Sequence, residues 1–272
     1  MTFEFFALRF LFRAEDSVRF PPGKAGNVLR GAFGTLFRRH PDYERFFEPA
    51  GPGPSGLKDR PRPFVFRAAH LDARTFGPGD PFHFDVNVFS VETDPFVSVF
   101  AELARQGLGP GRGRAELLSA EKTQVSIPLE PEPGVGRIAV AFLTPTELKG
   151  PTPDPEFATL FARARDRVST LRALYGPGPL AIDFRAMGDR ARAVRMTRCR
   201  VRHEEVERRS SKTGHVHSLG GFTGEADYQG ELAEFLPILR AAAWTGVGRH
   251  TVWGNGQIAV AALPPEPTSS RS

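Results

Sequence analysis

The chain punctuates itself the same way twice within its 272 residues. GLGPGRGR at 107–114 and GVGRHTVWGNG at 246–256 are glycine-rich turns. Each follows an amphipathic helical pattern and each leads into a strand pattern. The surrounding periodicities repeat as well. In the first half, FEFFALRFLF at 3–12 has the partial alternation of a strand and is broken off by Pro21, Pro22 and Gly23. Apolar residues at 25, 28, 29, 32, 33, 36 and 37 then form an unbroken helical stripe, ended at His40-Pro41. After a Pro/Gly-rich loop at 49–63, strands are expected at 63–68 and 82–89. Asp94-Pro95 reads as an N-cap with proline at the first helical position, opening a helix through Phe96, Phe100, Leu103 and Ala104 to Gly107. A strand at about 115–127 closes the half.

The second half follows the same order. A strand at 135–143 precedes Asp154-Pro155, read as a second N-cap pair. Its helix has apolar residues at 157, 160, 161, 164, 168, 171 and 174 and closes at Gly176-Pro177. Strands are expected near 180–186, 193–207 and 215–229. A helix at 231–243 buries Leu232, Phe235, Leu236 and Leu239, and QIAVAAL at 257–263 is the final strand. The pattern predicts an α+β chain of two tandem ferredoxin-like (RRM-like) domains, 1–130 and 131–272, joined across the proline-rich PLEPEPG at 128–134. A four-stranded sheet of this kind leaves one face open, and RNA-recognition modules lay single strands on such a face.

Composition narrows the class. Hydrophobic residues make up 40% and charged residues 25%, an ordinary globular balance. No apolar run approaches the ~18 residues of a membrane span, and MTFEFFALRF lacks the layout of a signal peptide. Cys199 is the sole cysteine, so neither an internal disulfide nor a multi-thiolate zinc site can form. A cytoplasmic protein is expected. The net charge is +5, and only five of the 36 basic residues are lysine, which leaves 31 arginines. Guanidinium forks suit phosphate and stack on bases, although a GC-rich genome writes the same bias. With 24 Phe, the cores must be built largely from phenyl rings.

LRGAFG at 29–34, GLGPGRGR at 107–114 and GGFTGEADYQGELAEFLPILRAAAWTGVGRHTVWGNG at 220–256 resemble CRISPR-associated RAMP proteins. Within them, the resemblance is to the endoribonuclease family that processes precursor CRISPR RNA; PRPFVF at 61–66 and PFHFDVNVF at 81–89 are similar to its N-terminal half. It covers most of the chain apart from 49–60, 128–156 and the tail after 263. The resemblance implies metal-independent, cofactor-free cleavage within a repeat RNA, in which a 2′-hydroxyl attacks the adjacent phosphate and leaves a cyclic phosphate. Its implied partners are CRISPR repeat RNA and subunits of a CRISPR effector complex, with a homodimer left open. HPDYERFFE at 40–48 departs from the cysteines that relatives carry after the first helix.

His40 closes the first helix, where several members of the family place a catalytic histidine. The carbonyl end of a helix favours an imidazolium, which suits a proton donor. Tyr43 offers a second donor; the structural alternative for His40 is a capping histidine on a solvated turn. Arg30, Arg38 and Arg39 lie off the apolar stripe and are RNA-binding candidates. In RRSSKTGHVH, residues 208–217, Arg208, Arg209, Lys212, His215 and His217 can face one polyanion. The alternatives are a plain hairpin tip and, less favoured for want of a third ligand, a metal pair at His215 and His217. Arg198, Arg200 and Arg202 alternate onto one strand face, where RNA contact and offsetting by Glu204, Glu205 and Glu207 are equally open. In the second glycine turn, Arg249 and His250 are RNA candidates. Gly246, Gly248, Gly254 and Gly256 serve close packing or approach to phosphate. Asp183, Asp189 and Asp227 form no paired-carboxylate spacing, which disfavours a two-metal nuclease. The rival readings are a non-catalytic RAMP subunit that holds guide RNA and a free-standing single-stranded RNA binder.

Overall fold

The computed structural model describes residues 1–51, 53, 60–90, 92–149, 154–204, 207–209, 216–218 and 220–264, with backbone only at 207–209 and 216–218. The N-terminal half contains β1 (Thr2–Ala14), β2 (Val18–Arg19), α1 (Ala25–Phe37), α2 (Tyr43–Phe47), β3 (Phe64–Arg67), β4 (Thr75–Phe76), β5 (Pro81–Val88), α3 (Asp94–Gln106) and β6 (Ala115–Pro128). The C-terminal half contains β7 (Arg137–Thr146), α4 (Phe157–Tyr175), α5 (Phe184–Ala191), β8 (Arg195–Glu204), β9 (Glu207–Arg209), β10 (Val216–Ser218), β11 (Gly221–Gln229), α6 (Leu236–Thr245) and β12 (Ile258–Ala262). The two main sheets are ordered β3-β5-β1-β6 and β12-β7-β11-β8, with every neighbour antiparallel. Counted within its own half, each places the first and third main strands centrally and the second and fourth at the edges. These are tandem ferredoxin-like domains.

Strand β1 explains how the halves meet. Its alternation puts Leu8, Phe10, Phe12 and Ala14 on one face and Phe3 and Phe5 on the other, and all six are buried. The first face joins a phenyl-rich core with α1 and α3, in which Phe33 lies 4.7 Å from Phe100 and 5.1 Å from Phe96. Leu29, Phe33 and Phe37 recur every fourth residue and hold α1 there. Each fully buried ring of this kind contributes about 1.5–3 kcal/mol. Phe3 and Phe5 instead enter the C-terminal core, together with Val65, Phe89 and Leu129.

The expectation of an open face on each sheet therefore holds only in part for the N-terminal one: its Phe3–Phe5 end is covered, while Arg9 and Arg13 further along the same face stay exposed. Phe5 packs 5.2 Å from Trp244 at the end of α6, and Asn87 donates to the Trp244 carbonyl at 2.8 Å. Arg172 donates to the Thr2 carbonyl at 2.9 Å, and the Gln257 amide donates to the Phe66 carbonyl at 3.1 Å. The C-terminal sheet keeps an exposed face carrying Leu143, Arg198, Arg200, Arg202, Ala259 and Ala261.

Several local expectations also shift. Residues 184–191 form α5 rather than the end of a strand, because the Asp183 carboxylate accepts the Ala186 N–H at 2.9 Å and caps a helix. Thr93, not Asp94, occupies the N-cap of α3, and α4 begins at Phe157 behind Glu156 rather than at Asp154-Pro155. The last helix starts at Leu236, yet Leu232 and Phe235 are buried from the turn ahead of it. Among the described residues, no helix is long and apolar enough to cross a membrane.

Candidate nucleic-acid interface

Helix α1 ends at Phe37, and the turn that follows folds His40 back on it. The His40 N–H donates to the Phe37 carbonyl at 2.9 Å, and the imidazole stacks on the Phe37 ring at 4.9 Å. Asp42 meets the same ring nitrogen twice. Its backbone N–H donates to His40 Nδ1 at 3.3 Å, and its carboxylate Oδ2 lies 3.3 Å from that atom. A neutral Nδ1 accepts from the N–H; a protonated one donates to the carboxylate. Tyr43 is engaged elsewhere, with its hydroxyl donating to Glu48 at 3.2 Å and its ring stacked on Phe47 at 5.3 Å. Only the Tyr43 N–H, bonded to the His40 carbonyl at 3.0 Å, links the two proposed proton donors directly. Arg38 and Arg39 are exposed beside them.

The other end of α1 presses on the second glycine turn. A Cβ on Gly26 would lie 2.5 Å from the Trp253 carbonyl oxygen, so only glycine permits this approach. One turn along, the Arg30 guanidinium sits 5.6 Å from the Trp253 ring and 5.6 Å from the Phe47 ring. Trp253 in turn stacks on His250 at 4.8 Å with only 10° between the planes. His250 has φ +61°, a left-handed conformation uncommon for a residue with a side chain. Gly246, Gly248, Gly254 and Gly256 have φ between +70° and +89°. A Cβ at Gly256 would meet the Val247 carbonyl at 2.0 Å, so this glycine is fixed by packing. Arg249 pairs with Glu147 at 2.9 Å, and the same carboxylate lies 3.7 Å from His250 Nε2.

Between the halves lies a cleft of about 740 Å³ with arginines on both sides of a largely uncharged lining. Arg60 and Arg62 come from the segment after α2; Arg163 and Arg167 project one turn apart from α4; His250 and Trp253 close one side. The carboxylate in the lining, Asp166, is already held by Arg165 at 2.8 Å. The Arg62 and Arg167 side chains are anchored by donating to the Phe47 and Thr245 carbonyls, each at 2.8 Å, while Arg163 donates to the Lys149 carbonyl at 2.7 Å. Arg163 Nε and Arg167 Nη2 have no partner among the described residues. Burial pulls the Arg167 guanidinium down to about 10 and pushes the neighbouring Tyr175 phenol up to about 12. The Tyr175 hydroxyl donates to the Pro61 carbonyl at 2.5 Å and so ties the walls together. None of these four arginines stands out as a site candidate in the sequence. The available signal is the four-residue spacing of Arg163 and Arg167, which puts both on one helix face.

On the exposed C-terminal sheet, Arg198, Arg200 and Arg202 do share a face, opposite Asp227, Glu225 and Thr223. Arg198 pairs with Glu225 at 3.0 Å and Asp227 at 3.6 Å, and Arg202 with Glu204 at 3.2 Å. Arg200 lies opposite Glu225 in the register, and that carboxylate is taken by Arg198. In the basic hairpin, the backbone sets Arg208 opposite His217 and Arg209 opposite Val216. Lys212 and His215 lie outside the described residues, as do the side chains of Arg208, Arg209 and His217. Among the described residues, no group of three His, Cys, Asp or Glu is placed to hold a metal ion.

Tandem ferredoxin-like domains around a seam with arginines on both sides define a RAMP-type protein. Residues 140–258 match the family model of the CRISPR-associated endoribonuclease Cas6, and residues 3–132 match a separate N-terminal domain model. Over residues 140–258 the chain carries the Cas6 endoribonuclease family's domain. Its fold is similar to that of a solved Cas6 product complex, 20% identical over 94% of this chain and 100% of that chain, with a TM-score of 0.62. Cas6 from Thermus thermophilus is 18% identical over 96% of this chain and 99% of that one, with a TM-score of 0.58. A partial Cas6-RT-Cas1–Cas2 complex is 10% identical over 96% of this chain and 46% of that one, with a TM-score of 0.61. No curated protein matches the sequence.

Proposed function

We propose that this chain cuts precursor CRISPR RNA within its repeat by a metal-independent transesterification. The observation that carries the reading is the cleft between the halves, where arginines from both walls face a single carboxylate that is already neutralised. Such a seam attracts a ribose-phosphate strand and offers donors to the non-bridging oxygens of a reacting phosphate. In the reaction the 2′-oxygen bonds to phosphorus and the 5′-oxygen leaves. A 2′,3′-cyclic phosphate ends the upstream fragment and a 5′-hydroxyl begins the downstream one. Each transferred proton needs a partner. His40 supplies one, working through Nε2 while Asp42 holds Nδ1 in either protonation state. Tyr43 is the second candidate donor, and reaching the same phosphate would require its hydroxyl to leave Glu48. The arginines of the sheet face and of the basic hairpin extend the path of the RNA. A relative solved with Cas1 and Cas2 supports CRISPR proteins as further partners, and the reading puts the activity in the cytoplasm.

The test is incubation of the purified protein with a labelled CRISPR repeat RNA in EDTA. One cut that leaves a cyclic phosphate supports the proposal. Tight binding without cutting assigns the chain instead to the non-catalytic subunits that hold guide RNA.

A further inference from the structure

Electrostatic attraction explains arginines in the cleft but not the two stacked aromatic residues that close it. His250 and Trp253 both line the cavity, stacked on each other at 4.8 Å, with Arg30 on the Trp253 ring at 5.6 Å. The turn holds His250 at φ +61°, a conformation with an energetic cost for any residue but glycine. The neighbouring positions 246, 248, 254 and 256 are glycine, yet this one carries an imidazole. Strain kept at a cleft wall, where glycine would remove it, points to a use for the side chain. The cavity of about 740 Å³ is also far larger than a phosphate needs. It has room for a base and its ribose together.

We infer that the cleft is a nucleotide pocket, taking one unpaired base of the RNA against the His250–Trp253 stack while arginines of the two walls, Arg62 and Arg163, hold its phosphate. This rests on the RNA reading above and deepens it: the substrate needs a nucleotide that is single-stranded, or extruded from a stem, at the position that reaches the cleft. Every base has a flat face, so stacking favours bases over bare backbone without selecting a sequence. The phosphate is held from both sides, because Arg62 and Arg163 belong to different halves of the chain.

The experiment compares labelled hexa-adenylate with an abasic ribose-phosphate hexamer of equal charge. The protein carries Trp244→Phe, so that Trp253 is the single tryptophan reporter. Hexa-adenylate should bind at least five-fold more tightly than the abasic strand and quench Trp253. His250→Ala should remove that preference, and His250→Phe, which keeps a stacking ring, should retain it. Arg163→Ala should weaken both strands by the same factor. Equal binding of the two strands, or an undiminished preference in His250→Ala, overturns the pocket. Cleavage of repeat RNA is scored separately. A protein that cuts yet treats the two hexamers alike keeps the endoribonuclease reading and loses the pocket, whereas one that prefers bases but never cuts keeps the pocket and loses that reading.

Discussion

Arg30 on α1 and Trp253 in the second glycine turn are 223 positions apart in the chain, yet the guanidinium lies 5.6 Å from the indole ring. With Gly26 against the Trp253 carbonyl, this contact docks the N-terminal helix on the C-terminal turn. The helix that ends at His40 is thereby placed relative to the cleft at its opposite end.

Gly26→Ala tests that docking. Its Cβ would meet the Trp253 carbonyl oxygen at 2.5 Å, so the helix or the turn must shift. A loss of about 1–3 kcal/mol in denaturant unfolding and reduced cleavage are expected. Gly31→Ala on the same helix is the control. A Cβ there meets nothing within 4 Å, so it should stabilise by about 0.5–1 kcal/mol.

His40→Ala should slow single-turnover cleavage roughly 10²–10⁴-fold while leaving RNA affinity nearly unchanged. Asp42→Ala should give a smaller loss in the same assay, because it removes the carboxylate that faces Nδ1 and leaves the imidazole in place. Cleavage that survives His40→Ala moves the assignment to Tyr43, His215 or His217.

Tyr175 gives an alkaline signature. Burial raises its folded phenol to about 12, against about 10 when unfolded. The neutral phenol's contribution is therefore complete below pH 10 and is lost between pH 10 and 12, as the unfolded state ionises first. Tyr175→Phe should remove that stage from the pH dependence of unfolding. Arg167 is held up in part by the charge of the Tyr175 phenolate, so the difference between the two proteins reports the phenol together with its coupling to that guanidinium. The variant should also lose about 1 kcal/mol at neutral pH, from the missing bond to Pro61.

Much of the fold is legible in the sequence because it is written in local periods. The alternation in β1 and the four-residue recurrence of Leu29, Phe33 and Phe37 are visible without any long-range information. Residues 180–186 mislead, since an apolar run precedes a cap that acts only through the Asp183 side chain. Phe3 and Phe5 read as strand residues, but nothing local shows that their face is spent on Trp244. The cleft is hidden for the same reason. Arg62 and Arg163 stand about a hundred positions apart, and only the packing of the two halves makes them neighbours across a cavity. His40 is legible as the residue after a helix, whereas its partner Asp42 is recognised only from the geometry at Nδ1.

The central claim is that the seam between the halves grips the RNA more strongly than the exposed sheet face that extends its path, and the salt dependence of RNA binding tests it most directly. The double variant Arg60→Ala/Arg163→Ala should flatten the plot of log affinity against log salt by about 0.7 for each phosphate of a single strand that is no longer neutralised, more than Arg198→Ala/Arg200→Ala/Arg202→Ala does. An unchanged slope in the cleft variant, with a flattened one in the sheet variant, would contradict it.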